Sequence, residues 1–183
     1  MNFDFTIFPI LETERLTLRA LNLDDAKAIF GLRTNKSVNT FIKRDIPKNL
    51  SEARAFIDQI SNLVSTNSGI FWVIESKQNK ELIGTVGLRN FRIEEKDAEI
   101  GYELHPNYQE KGFMTETLKE VVNFGFKNLG LKTIEAFTHK NNMASIALLE
   151  KQDFVFQPER KDEGFDDNRI YSLAVIKNQI ATT

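Results

Sequence analysis

Two stretches of the chain place reactive or ligand-binding groups at meaningful spacings. The first, HPNYQEKGFMTETL at residues 105–118, sets Gly112 directly before a helical pattern. The opening turn of a helix leaves backbone N–H groups without internal partners at the positive end of the dipole, which suits phosphate. Gly112 lets backbone approach such a ligand closely, while Gln109 offers a donor and Lys111 a cation. The plainer alternative is that Gly112 only shapes a tight helix entry, since one glycine is a weaker signal than a full phosphate-loop pattern.

The second stretch, DAEIGYEL at 97–104, reads as a strand with Glu99, Gly101 and Glu103 on one face and Ala98, Ile100, Tyr102 and Leu104 on the other. Two carboxylates dehydrated on one face raise each other's pKa, a useful property for a general base. Solvated strand charges are the alternative. No cysteine is present, which excludes a disulfide scaffold, a thiolate metal site and a cysteine nucleophile. His105 and His139 make a poor metal pair and read as structural or solvent-facing, so no metal is expected.

These residues need elements to hold them. Leu16, Leu18 and Ala20 alternate as a strand, and Asn22 with Asp25 caps a helix carrying Ala26, Ile29, Phe30 and Leu32. Ser51 is expected to cap a second helix with Ala55, Phe56, Ile60 and Leu63 facing inward. IFWVIE (70–75), LIGTVGL (82–88) and the strand at 97–104 follow as three adjacent strands. A long amphipathic helix from Met114 carries Leu118, Val121, Val122, Gly125, Phe126 and Leu129, with Gly130 as its stop. TIEAFT (133–138) returns to strand, Asn142 caps a short helix, and FVFQ and RIYSLAVI close the chain as strands.

Composition bounds the function. The 183 residues are 41% hydrophobic and predict a single domain over 1–183. Lys and Arg number 24 against 26 Asp and Glu, so no global charge recruits nucleic acid. No apolar run reaches the ~20 residues of a membrane span, and the start lacks a signal-peptide pattern; a cytoplasmic protein with no membrane partner is expected.

AEIGYELHPNYQEKGFMTETL resembles the coenzyme A-binding motif of the GNAT family of N-acetyltransferases, Gln or Arg, two residues, Gly, one residue, Gly or Ala. Here that motif reads Gln109, Glu110, Lys111, Gly112, Phe113, Met114. NNMASIALLEKQDF resembles the family's next signature, and with LETERLTLRALNLDDA the chain is similar to the branch holding the ribosomal-protein N-terminal acetyltransferases. The resemblance implies a mixed α/β fold (α+β) with a mostly antiparallel sheet of about six to seven strands, a splay between strands 4 and 5, and about four flanking helices. It implies acetyl-CoA as co-substrate, its pyrophosphate on Gln109, Glu110, Lys111, Gly112, Phe113, Met114 and Thr115, chiefly through main-chain amides. Pantetheine would pair with the main chain of Tyr102 to Leu104 like an added strand, opposite Phe137 and Thr138. Asn142 either touches that arm or only caps its helix.

Two departures stand out: Met114 replaces a small residue, and Leu149 stands where many relatives carry a tyrosine general acid, with Asp153 at a usual glycine. Ser145 matches an Asn-x-x-Ser element and could protonate the departing thiolate or hold a water; otherwise it is a first-turn serine. Glu103 or Glu99 is the expected base. The side chains of Tyr102 and Phe137 read as core packing.

Direct transfer in a ternary complex fits the lack of an evident nucleophile. An α-amine, with a pKa near ~8, asks less of a base than a lysine near ~10.4. The branch resemblance makes acetylation of a protein N-terminal α-amine the leading reading. The alternatives are a small amine such as a polyamine, antibiotic or amino acid derivative, or a non-catalytic acyl-CoA-binding protein. The polar segments 36–50 and 159–168 are expected to set specificity, and a monomer or homodimer is expected.

Overall fold

The computed structural model describes residues 3–175. The order is β1 (Leu11–Glu12), β2 (Leu16–Ala20), α1 (Ala26–Thr34), α2 (Leu50–Ser65), β3 (Gly69–Ser76), β4 (Leu82–Arg92), β5 (Asp97–Leu104), α3 (Phe113–Lys127), β6 (Thr133–His139), α4 (Met143–Lys151), β7 (Val155–Phe156) and β8 (Asn168–Ala174). One eight-stranded sheet runs β1-β2-β3-β4-β5-β6-β8-β7, antiparallel except where β5 meets β6. The count exceeds expectation by one because the two-residue β1 pairs with β2. β7 is an equally short edge piece with both side chains exposed, so the strand expected over FVFQ shrinks to two residues. The last residue of RIYSLAVI, Ile176, lies outside the described residues, as do the ends of the expected single domain.

The sheet is covered on both faces. Ile70, Trp72 and Ile74 of β3 join Leu118 and Val121 of α3 and Ile146 and Leu149 of α4 in the larger core. Val73 joins Ala26 and Ile29 of α1 and Ala53 and Ile57 of α2 in the smaller. Burial on both sides explains why IFWVIE is apolar throughout. Asn22 and Asp25 form the expected capping box, but on a single 3-10 turn (Leu23–Asp25) that leads into α1, and Arg19 grips Asp25 in a two-pronged pair at 2.8 and 2.9 Å. α2 departs from expectation: Asn49, not Ser51, is its cap, accepting from Glu52 N–H at 3.0 Å. That phase exposes Ala55 and buries Ala53 and Ile57 beside Phe56 and Ile60. The Asn-x-x-Glu spacing at 49–52 carried the signal.

The start of β5 is pinned to β6 by buried acids. Arg92 binds Asp97, with Nε 2.6 Å from Oδ1, and reaches Glu135 at 3.0 Å; Arg160 holds the same Glu135 through both guanidinium prongs. The Arg160 hydrogen bond, more than any other contact, keeps the Glu135 carboxyl below its usual range. Stability from Glu135 is thus present above the ordinary value of 4.5 and lost as pH falls through the lower folded value. Glu135→Gln is expected to cost about 2 kcal/mol at pH 7, since its guanidinium partners are half exposed. That is a Tm fall of about 4–8 °C by differential scanning calorimetry at pH 7, expected to be smaller at the lowest pH below 4.5 at which the fold persists. An equal fall at both pH values would refute the charge origin.

Candidate active site

The β5–β6 ladder runs from Asp97↔Thr133 to Ile100↔Ala136 and stops, although β5 continues to Leu104 and β6 to His139. The gap lies between the fourth and fifth strands expected from sequence, opposite Phe137 and Thr138. On its other edge β5 stays paired to β4 through Gly84↔Leu104. His105 N–H donates to Ile83 O at 2.7 Å, so by strand alternation the main-chain groups of Gly101 and Glu103 face β4. Those of Tyr102 and Leu104 face the gap. Leu104 O is already met by Gln109 Nε2 at 3.0 Å, which folds the following loop back under the strand.

That loop delivers α3 to the open end of the gap. Glu110 and Gly112 both take left-handed backbone, with φ of 60° and 78°. The first helical bond is Glu116 N–H to Gly112 O, so the amides of Phe113, Met114 and Thr115 precede it and point out of the helix. A Cβ on Gly112 would meet only Arg15 Nη2, at 3.5 Å, leaving open space where a ligand would approach. Lys111 Nζ is spent on Asn107 O, and Gln109 on Leu104 O, so main-chain amides are the free donors. Met114 turns its side chain into the larger core, which is how the loop accepts its bulk. Arg15 braces the entry by pairing with Glu116 at 2.7 Å and donating to Lys111 O at 3.0 Å.

Alternation along β5 sends its side chains to opposite faces of the gap. On the α3/α4 face Tyr102 reaches across to α4, its hydroxyl 2.8 Å from Ser145 Oγ. Burial pushes the Tyr102 phenol up to about 12, with the Ser145 bond drawing it back. Sequence reading assigned Tyr102 its backbone and Ser145 its hydroxyl, and did not foresee that the two side chains meet. Asn142 Oδ1 accepts from Ser145 N–H at 3.2 Å and so caps α4. Leu149 is fully buried in the larger core, and Asp153 adopts a left-handed φ of 63°, a conformation glycine takes without strain.

On the α1/α2 face Glu103 is buried. Its Oε1 accepts from Thr85 Oγ1 at 3.2 Å, and its Oε2 lies 2.6 Å from Arg44 Nη1, a charge contact outside hydrogen-bond alignment. Glu99 lies below the gap, in the paired part of β5, with Arg89 on one oxygen and Asn90 on the other at 2.7 Å. The two carboxylates therefore do not share a dehydrated site, because each has its own guanidinium. Arg44 and Arg33 were missed; Arg44 fell in a stretch that reads as a polar loop.

The segments expected to set specificity do converge. Phe41 packs on His139 with ring centres 5.2 Å apart, and Lys43 lies 5.6 Å over Phe165. Lys140 pairs with Asp167 at 2.6 Å. His105 and His139 each accept a local backbone N–H, and among the described residues no group of three or more potential ligands could hold a metal ion. Among the described residues no helix is long and apolar enough to cross a membrane.

Known proteins resemble the chain in sequence and in fold. The acetyltransferase (GNAT) domain family matches residues 15–155. The uncharacterised N-acetyltransferase YoaA of Bacillus subtilis (strain 168) is 39% identical over 81% of this chain and 84% of its own. The uncharacterised N-acetyltransferase p20 of Bacillus licheniformis is 32% identical over 93% of this chain and 98% of its own. The structure of RimL, a ribosomal α-N-protein acetyltransferase in complex with coenzyme A, superposes with a TM-score of 0.80 at 18% identity, covering 91% of this chain and 98% of that one. The chain belongs to the GNAT acetyltransferase family and is an N-acetyltransferase.

Proposed function

We propose that this chain is one domain that transfers acetyl directly from acetyl-CoA to the α-amine of a protein N-terminus. The observation that carries the cofactor part is the early end of the β5–β6 ladder, which leaves the N–H and C=O of Tyr102 and the N–H of Leu104 facing the gap beside the α3 start. Acetyl-CoA supplies an acetyl group activated as a thioester. Tyr102 and Leu104 main chain would hold its pantetheine arm, and the amides of Gly112 to Thr115 its pyrophosphate, as in a helix-start anion site.

The residues around the gap divide the chemistry. The Tyr102–Ser145 pair has one O–H left to donate, because only one of the two hydroxyl protons is used between them. A phenol near 12 does not surrender its proton to a thiolate of pKa ~8.5. The free O–H instead donates a hydrogen bond as negative charge builds on sulfur. Charge on the departing sulfur is thus stabilised without a tyrosine at Leu149, which counts against the non-catalytic alternative. Glu103, facing the opposite side of the strand, receives and orients the amine. About a fifth of an α-amine is neutral at pH 7.4, so no strong base is required before attack; as the C–N bond forms the C–S bond breaks to release the thiolate, and the proton the nitrogen sheds passes to solvent.

The ion pair at Glu103 also separates the acceptor classes. A polyamine needs free carboxylates, whereas the carboxylate at this mouth is already matched by Arg44. Thiol release from acetyl-CoA against N-terminal peptides, spermidine and aminoglycosides tests the reading. Peptides are expected to exceed spermidine at least tenfold in kcat/KM. Faster turnover of spermidine, or tight coenzyme A binding without turnover of any acceptor, would overturn it.

A further inference from the structure

The charges on the α1/α2 side of the gap do not balance. Arg44 is fixed from two sides, its Nε donating to Asn39 Oδ1 at 2.8 Å and its Nη1 lying 2.6 Å from Glu103 Oε2. Asn39 is itself held, donating to the carbonyls of Arg33 and Asn35 at 2.7 and 2.9 Å. Arg44 Nη2 is buried with no hydrogen-bond partner. Arg33 stacks 3.8 Å over Phe56 and makes no ion pair among the described residues. Burial and the neighbouring Arg44 charge press its guanidinium below the usual range, with Glu103 opposing.

Two guanidiniums thus feel one carboxylate that only Arg44 contacts, and a rigid buried donor is left over. Buried unpaired donors and charges are unfavourable, so a cluster built this way is complete only with an anion bearing acceptor oxygens. Glu103 lies on the unpaired stretch of β5, which puts the cluster at the mouth where the acceptor enters. We propose that the acceptor carries a carboxylate or phosphate near its amine, and that Arg44 Nη2 and Arg33 bind that anion while Glu103 faces the amine.

The proposal rests on the acetyltransferase reading and names what the acceptor must carry. On a peptide the anion is an acidic side chain at the second position; on a small amine it is an α-carboxylate or a phosphate ester. Two peptides differing only by Asp or Asn at the second position should be compared, beside an aminoalkyl phosphate, a free amino acid and an uncharged amine of equal length. The Asp peptide is expected to have at least tenfold higher kcat/KM. Arg33→Met, which leaves the Arg44–Glu103 pair in place, is expected to erase most of that preference, with the KM for acetyl-CoA within threefold reporting an intact fold. Equal values for Asp and Asn peptides overturn the anion site and leave the N-terminal reading standing. Turnover of the phosphate or amino acid, but of neither peptide, supports the anion site and overturns the N-terminal reading. Full preference retained in Arg33→Met overturns the Arg33 assignment.

Discussion

Tyr102→Phe is expected to lower kcat about 100-fold while moving the KM for acetyl-CoA less than threefold. The side chain loses only a hydroxyl, and the ring keeps its packing against the larger core. What disappears is the partner 2.8 Å from Ser145 Oγ and with it the ordered pair that offers a single O–H to the sulfur. Removing one preorganised donor to developing charge costs about 10²–10³ in rate. Because pantetheine is held by Tyr102 main chain, binding survives. Ser145→Ala should show the same split, and the double variant should lose little more than either single one, as members of one unit do. A kcat within threefold of wild type in Tyr102→Phe would remove the pair from the chemistry. An equal rise in KM would make it a binding contact.

Gly112→Asp is expected to act on the other parameter, raising the KM for acetyl-CoA at least tenfold with little change in kcat. Gly112 sits at φ 78° and ψ 1°, a conformation that Asp tolerates better than most residues, and a Cβ there meets only the tip of Arg15. The fold should therefore persist. Two like charges about 6 Å apart at an effective dielectric of about 20 oppose each other by roughly 3 kcal/mol before screening, the scale on which a carboxylate at this position would act against a pyrophosphate held by these amides. Tenfold needs about 1.4 kcal/mol, which leaves room for salt. Gly112→Asn keeps the shape without the charge and should raise KM less than threefold. If Asp and Asn behave alike in thiol-release assays, the loop is not an anion site.

What could be read beforehand follows from what is local. DAEIGYEL forms β5 with the expected bounds, and its period of two correctly placed Tyr102 and Glu103 on opposite faces. The Asn22 capping box and the Asn142 cap were legible because each spans three residues. The gap itself came from family resemblance, since where a ladder stops depends on the path of a partner strand. Tyr102 and Ser145 are 43 positions apart, and nothing in either neighbourhood announces their contact. Arg44 looked like a loop charge, yet it neutralises the carboxylate expected to share a site with Glu99. In α2, a cap at Ser51 places Ala55 inward, whereas the cap at Asn49, two residues earlier in the same polar stretch, buries Ala53 and Ile57.

The gap as a coenzyme A site is tested most directly by amide hydrogen exchange with and without coenzyme A. Exchange is expected to slow at Tyr102 and Leu104, whose main chain faces the gap, and at Gly112 to Thr115 around the α3 start, with smaller changes elsewhere. Coenzyme A that binds while both segments exchange at their free rates would contradict the account.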